Sequence, residues 1–314
     1  MRGVTRREMF ELAALGAVRA VLAPREAAAA VAPGEPAAAA LAPPEAVAML
    51  YDTTRCTGCK ACMPACAEAN GLEPDTAMSG GIWQMPLDLN AQTKNIIKLW
   101  EADDHSQWSF VKRQCMPCLD PACVSGCPFG ALEKNPFDGV VGWEPSLCIG
   151  CRYCEVACPY EIPKFEWSRF NPKIVKCQFC DHRLAEGLQP ACTAACPVGA
   201  VIFGNRDALL ADAHERIDAA PGKYFEERVY GEHEGGGTQV LYLSHVPFEA
   251  IGLPALGPTS NPEYARKWPR RIYQWLWGPI ALYALVAGVI HHRWRRHETE
   301  AHQLERETGL KEQL

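Results

Sequence analysis

The chain has 314 residues, a formal charge of −6 and 16 cysteines. That length allows one large or two small domains with a real core, and the acidic balance, with no Lys/Arg run to follow a phosphate backbone, excludes nucleic acid as a partner. All the cysteines lie between Cys56 and Cys196, which leaves both ends of the chain without one.

In chain order, residues 1–30 read as a twin-arginine (Tat) export signal. Arg6 and Arg7 stand inside Thr-Arg-Arg-Glu-Met-Phe, an apolar segment runs from Leu12 to Ala23, and small residues at Ala27–Ala30 suit cleavage. The alternative is a cytosolic amphipathic helix with an incidental arginine pair. Residues 31–50 are rich in Ala and Pro and read as a linker. Residues 51–204 carry every cysteine and are expected to form one domain. Residues 205–265 follow as a helix and strand extension, with Asn205 as helix cap for "NRDALLADAHERIDAA" and "GGGTQVLYLSHV" as a strand. The charge-free stretch 272–290, "IYQWLWGPIALYALVAGVI", has the length of a transmembrane helix, flanked by Tyr273, Trp275 and Trp277. A buried core helix is the other reading of that stretch. Residues 291–314 would be a cytoplasmic tail.

The cysteines fall into four runs of four. They are Cys56, Cys59, Cys62 and Cys66; Cys115, Cys118, Cys123 and Cys127; Cys148, Cys151, Cys154 and Cys158; and Cys177, Cys180, Cys192 and Cys196. The first and third share C-x2-C-x2-C-x3-C spacing. The second and fourth share Pro-Ala-Cys-x3-Cys-Pro-x-Gly-Ala. This echo signals an internal repeat. Disulfides would need distant partners for three thiols packed into seven residues. Zinc knuckles would leave the third cysteine of each triplet surplus. Several soft thiolates on one tight loop are what a cubane cluster needs, so the runs predict four [4Fe–4S] clusters.

In two-cluster ferredoxins the fourth cysteine of a run ligates the neighbouring cluster. The residue after the x3 gap is expected to start a helical turn leading away, with the following proline fixing the exit. Between Cys127 and Cys148, Asp138-Gly139 reads as a turn and "GVVGW" as β-prone. That hairpin joins the second and third runs into one module and leaves the first and fourth to make the other. The expected fold is α+β, with two pseudo-symmetric two-cluster ferredoxin-like modules and one C-terminal transmembrane helix.

From Tyr51 to about Pro254 the chain resembles the four-cluster iron–sulfur subunits of membrane molybdenum oxidoreductases and NiFe hydrogenases, the HybA type above all. The residues that carry the resemblance are "MLYDTTRCTGCKAC", "KRQCMPCLDPACVSGCP", "CIGCRYCEVACPYEIPK", "PVGAVIFGNRDALL" and "YGEHEGGGTQVLYLSHVPFE". The resemblance implies four ligand sets: Cys56, Cys59 and Cys62 with Cys196; Cys177, Cys180 and Cys192 with Cys66; Cys115, Cys118 and Cys123 with Cys158; and Cys148, Cys151 and Cys154 with Cys127. One departure stands out, because Cys66 is followed by Ala67 and not by proline.

The resemblance further implies an electron-transfer subunit rather than an enzyme in itself. It would relay electrons from the small and large subunits of a periplasmic NiFe hydrogenase to an NrfD-like multi-span membrane subunit that reduces quinone. A formate dehydrogenase β subunit, or that of another molybdopterin oxidoreductase, is the alternative. The chain would sit in the cytoplasmic membrane with its cluster domain on the periplasmic side. No phosphate loop, nucleophile motif or paired-carboxylate site is present in the sequence to suggest catalysis.

Smaller features are read more plainly. "NIIKLW" is β-prone, and Trp83, Trp100 and Trp108 are expected to serve packing. His182 could tune a cluster, though a hydrogen-bonded surface histidine is the simpler reading. Lys176 beside Cys177 could raise a cluster potential, or it could face water.

Overall fold

The structure, a computed structural model, describes residues 42–43, 45–73, 81, 83–167 and 174–311, without the side chains of 264, 267–277 and 301–311. The expected export signal and most of the linker lie outside the described residues. Strand β1, Val47–Asp52, takes in the last residues of the stretch expected as linker. Both of its faces are buried: Met49 and Tyr51 enter the main core, while Ala48 and Leu50 enter a second one. The end of the stretch expected as linker therefore holds a central strand, whose near-continuous apolar run Val47–Tyr51 fits a sheet covered on both sides.

From β1 the chain passes into helix α1, Cys62–Ala69. It then forms a hairpin of β2, Asn95–Glu101, and β3, Trp108–Gln114, paired antiparallel from Asn95↔Gln114 to Glu101↔Trp108. The "NIIKLW" stretch is thus a strand. Trp100 packs against the main core. Trp83 and Trp108 are half-exposed and flank the Phe110 ring at centroid distances of 5.3 and 5.5 Å. Next come α2, Ala122–Ser125, then β4, Leu132–Lys134, and β5, Val141–Trp143. The last two pair antiparallel around Asp138-Gly139, where the Asp138 carboxylate accepts from the Val140 amide at 2.9 Å. The expected hairpin between the second and third runs is present. Helix α3, Tyr153–Ala157, follows, then a short antiparallel pair of β6, Lys164–Phe165, and β7, Ile174–Val175.

The fourth run carries α4, Asp181–Ala185, and α5, Ala191–Ala194. Strand β8, Val201–Asn205, then returns antiparallel beside β1. The two modules are built alike. In one, α1 of the first run packs on α5 of the fourth, and in the other α2 packs on α3. Runs adjacent in sequence make the second module, and runs at the two ends of the domain make the first.

Helix α6, Arg206–Ala219, begins as read: the Asn205 side chain accepts from the amides of Asp207 at 3.0 Å and Ala208 at 3.3 Å. Its Leu209, Ala213 and Ile217 cover the outer face of the sheet. Asn205→Ala should therefore cost about 1 kcal/mol, measured as a lower denaturant midpoint of the anaerobic holoprotein. An unchanged midpoint would show the cap to be idle. Farther along α6, Arg216 reaches the fully buried Asp52 at 3.4 Å, and Tyr224 donates to the same carboxylate at 3.1 Å. Strand β9, Val240–Leu243, completes the sheet order β8-β1-β9 and runs parallel to β1 from Met49↔Val240. The extension is accordingly woven into the cluster domain's own sheet.

Helix α7, Asn261–Lys311, contains the segment 272–290. Arg266 and Ser260 both bond the Asp120 carboxylate, which ties its first turn to the loop between Cys118 and Cys123. Among the described residues no helix is long and apolar enough to cross a membrane. The first six residues of the expected span lie among the side chains outside the described set.

Candidate metal centres

The first and third runs fold the same way. Gly58 and Gly150 have φ of 68° and 70°, and the basic residues two positions on, Lys60 and Arg152, have φ of 60° and 63°. Left-handed residues set between cysteines curl the loop so that its N–H groups point inward, a geometry suited to an anionic guest. Gly58 has a second reason to lack a side chain, since a Cβ there would lie 2.3 Å from the Phe110 ring.

The helices meet the cysteines differently from expectation. Helices α1, α2, α3 and α5 each hold the third cysteine of a run, and after the last three of these the fourth cysteine follows the helix rather than starting a new turn. Cys158 is the C-cap of α3 at ψ 115°, an extended conformation imposed by Pro159. Cys127 and Cys196, also followed by proline, stand just past α2 and α5. Cys66 is the exception. With Ala67 behind it, α1 runs on through Cys66 to Ala69, so this thiol projects from within a helix.

These backbones gather cysteines from different runs. Cys56, Cys59, Cys62 and Cys196 line one cavity. Cys115, Cys118, Cys123 and Cys158 line a second, and Cys127, Cys148, Cys151 and Cys154 a third. The remaining thiols meet through Asn70, whose side-chain amide lies 3.6 Å from Cys66 Sγ and 3.9 Å from Cys180 Sγ. Cys177 and Cys192 are close enough to act on Cys66 electrostatically. Neighbouring groups also touch electrostatically, Cys62 with Cys192, Cys115 with Cys177 and Cys154 with Cys123. The four groups therefore form a row, with Cys59 and Cys151 as its exposed cysteines at opposite ends.

The thiols fit the group that the donor set calls for. All sixteen are free, and most are buried or half-buried. Among the described residues no three Cys, His, Asp or Glu side chains close on a point fit for one metal ion. Thiols spread round a cavity suit a multi-iron core instead. Burial pushes the thiols of Cys62, Cys66 and Cys154 up to about 12 and that of Cys177 to about 11. Metal binding must therefore displace protons that burial would otherwise keep in place. Backbone amides already face the sulfurs, Phe179 N at 3.4 Å from Cys177 Sγ and Ala200 N at 3.2 Å from Cys196 Sγ.

Among the other residues singled out in the sequence, His182 is a half-exposed surface histidine whose ring lies 3.6 Å from the Asp181 carboxylate, beyond hydrogen-bond distance. Lys176 is buried at 3% exposure and donates to the carbonyls of Val141 and Cys177. The sequence pattern gives no sign of Lys112 or Asn70. Lys112 is fully buried, donates to the Gln114 side chain, and lines the cavity of Cys56 and Cys62. Burial alone would lower its pKa, yet the negative charge of Cys192, Cys62 and Cys177 in their thiolate form outweighs that and holds it above the ordinary value. Nothing in the pattern of "WSFVKRQ" marks this lysine, because both faces of β3 are buried.

Comparison with known proteins agrees with this construction. Residues 55–131 and 106–206 each match a family described as a 4Fe-4S dicluster domain. The hydrogenase-2 operon protein HybA of Escherichia coli O157:H7 is 37% identical, over 75% of this chain and 81% of the relative. The formate dehydrogenase-O iron-sulfur subunit of Escherichia coli K12 is 33% identical, over 77% of this chain and 79% of the relative. Two dicluster ferredoxin-like domains of mixed α/β content, with sixteen cysteines, hold four [4Fe–4S] clusters. The chain belongs to the HybA-type family of four-cluster iron–sulfur electron-transfer subunits, to which the iron–sulfur subunits of formate dehydrogenases are related.

Proposed function

We propose that this chain relays electrons from the small and large subunits of a periplasmic NiFe hydrogenase to an NrfD-like, quinone-reactive membrane subunit. The observation that carries this reading is the similarity to HybA across most of both chains. Each cluster supplies a one-electron couple whose potential depends on nearby charge, hydrogen bonds and exposure.

The protein's own part is to hold, shield and space. Cys56, Cys59, Cys62 and Cys196 ligate the first cluster in the row, and Cys66, Cys177, Cys180 and Cys192 the next. Cys115, Cys118, Cys123 and Cys158 take the third, and Cys127, Cys148, Cys151 and Cys154 the fourth. The shared cavities support these sets, as does the Asn70 amide set between Cys66 and Cys180.

The chain is exported by its Tat signal, residues 1–30, and anchored in the cytoplasmic membrane by residues 272–290, leaving 291–314 in the cytoplasm. The charge-free run supports the anchor, as do the exposed Ile280, Leu282, Tyr283, Leu285 and Val286 on α7. The bonds from Arg266 and Ser260 to Asp120 favour the second module as the one beside the membrane subunit.

Affinity purification from gently solubilised membranes, with metal analysis, tests the reading. Co-purifying nickel and a multi-span subunit are expected. Molybdenum or tungsten would instead favour a formate dehydrogenase β subunit, the second reading, which the formate dehydrogenase-O relative supports. Purification of the loaded chain with neither metal would overturn both.

A further inference from the structure

Two lysines have been taken out of water without an acid to accompany them. Lys112 is 0% exposed and Lys176 3% exposed. Among the described residues their ammonium groups reach only neutral acceptors: the Gln114 side chain for Lys112, and the carbonyls of Val141 and Cys177 for Lys176. Among the described residues no carboxylate pairs with either. A buried, unpaired ammonium is among the costliest features a fold can carry, and it persists only where some other negative charge faces it. Both side chains line cysteine cavities, Lys112 that of Cys56, Cys59, Cys62 and Cys196, and Lys176 that of Cys115, Cys118, Cys123 and Cys158. A [4Fe–4S] core with four thiolates is a net anion in either redox state and becomes more negative on reduction.

We propose that Lys112 and Lys176 are the built-in counter-charges of the clusters they line, each raising the reduction potential there by stabilising the added electron. The proposal rests on the ligand sets assigned above. Lys112 acts on two clusters at once, since it lines the cavity of Cys62 and its charge also reaches Cys66 and Cys177 of the next group. Lys176 acts chiefly on the group of Cys115, Cys123 and Cys158. The thiol of Cys154, in the last group, feels other cysteines and neither lysine among its main influences. These are positioning residues, acting on the electron through charge and not by ligation.

Redox titration of the anaerobic, cluster-loaded full chain by EPR tests this. In Lys112→Met the reduced-to-oxidised ratio of two of the four signals, at fixed ambient potential, should fall about tenfold, which is about 59 mV for a one-electron couple. In Lys176→Met one other signal should fall in the same way, and the signal abolished by Cys151→Ser should stay in place in both variants. Cys59→Ser and Cys180→Ser identify the two signals expected to move with Lys112. A fully loaded Lys112→Met with unmoved potentials overturns the proposal, and so does a shift confined to other signals, which would also locate the fault in the ligand sets. Should Lys112→Met lose iron, Lys112→Arg and Lys112→Gln decide. Recovery of iron and potentials with arginine alone supports a charge role, and equal recovery with glutamine overturns it.

Discussion

Replacing Cys158 with serine is expected to abolish or convert the cluster held by Cys115, Cys118 and Cys123, although Cys158 stands in the run of Cys148, Cys151 and Cys154. Iron should fall by at most about four atoms from about sixteen per chain, the content of four cubanes. The EPR signal that disappears should be the one also lost in Cys118→Ser, while the signal lost in Cys151→Ser persists. The reason lies in the backbone. Pro159 forces Cys158 out of the helical region at the end of α3, which aims the thiol away from its own loop. Its side chain then lines the cavity it shares with Cys115, Cys118 and Cys123. Loss of the Cys151 signal in Cys158→Ser would show that the run ligates only itself.

Gly58→Ala should be among the most damaging changes of a single carbon in the chain. The residue sits at φ 68°, where an alanine is strained, and its Cβ would come within 2.3–2.6 Å of three Phe110 ring carbons. That ring cannot step aside, because Trp83 and Trp108 flank it and the residue is buried at 7% exposure. Left-handed strain together with overpacking gives an expected cost of about 2–5 kcal/mol. The readouts are the denaturant midpoint of the holoprotein and the retention of the cluster lined by Cys56 and Cys59. Gly71→Ala is the control, with a similar φ of 60° and, among the described residues, nothing near the new Cβ, so it should cost only the backbone term of about 1 kcal/mol. Equal effects of the two changes would rule out the clash.

Much of this chain is legible along its length because its chemistry is local. A cubane binds several thiolates from one tight loop, so the cofactor shows as cysteine spacing. The β4–β5 hairpin shows as Asp138-Gly139 between β-prone residues, and the α6 cap as Asn205 before an apolar period. These are interactions between residues a few positions apart, where spacing and geometry are nearly the same thing. The lead-in to β1 looks like linker in the sequence for the complementary reason. Its strand character comes from β8 and β9, more than 150 residues away in the chain, and not from its own Ala-rich composition.

What the sequence determined by itself was the cofactor, the family and the two-module plan, since sixteen thiols in four runs admit few other uses. The tertiary structure decided the charge environment of those thiols. Whether a lysine faces water or a cluster depends on what packs over it. Lys112 sits on a strand covered on both sides, and Lys176 lies under the Val141 carbonyl of another hairpin. Neither fact leaves a trace in residue order, because burial is a property of distant neighbours brought together and not of the residue that is buried.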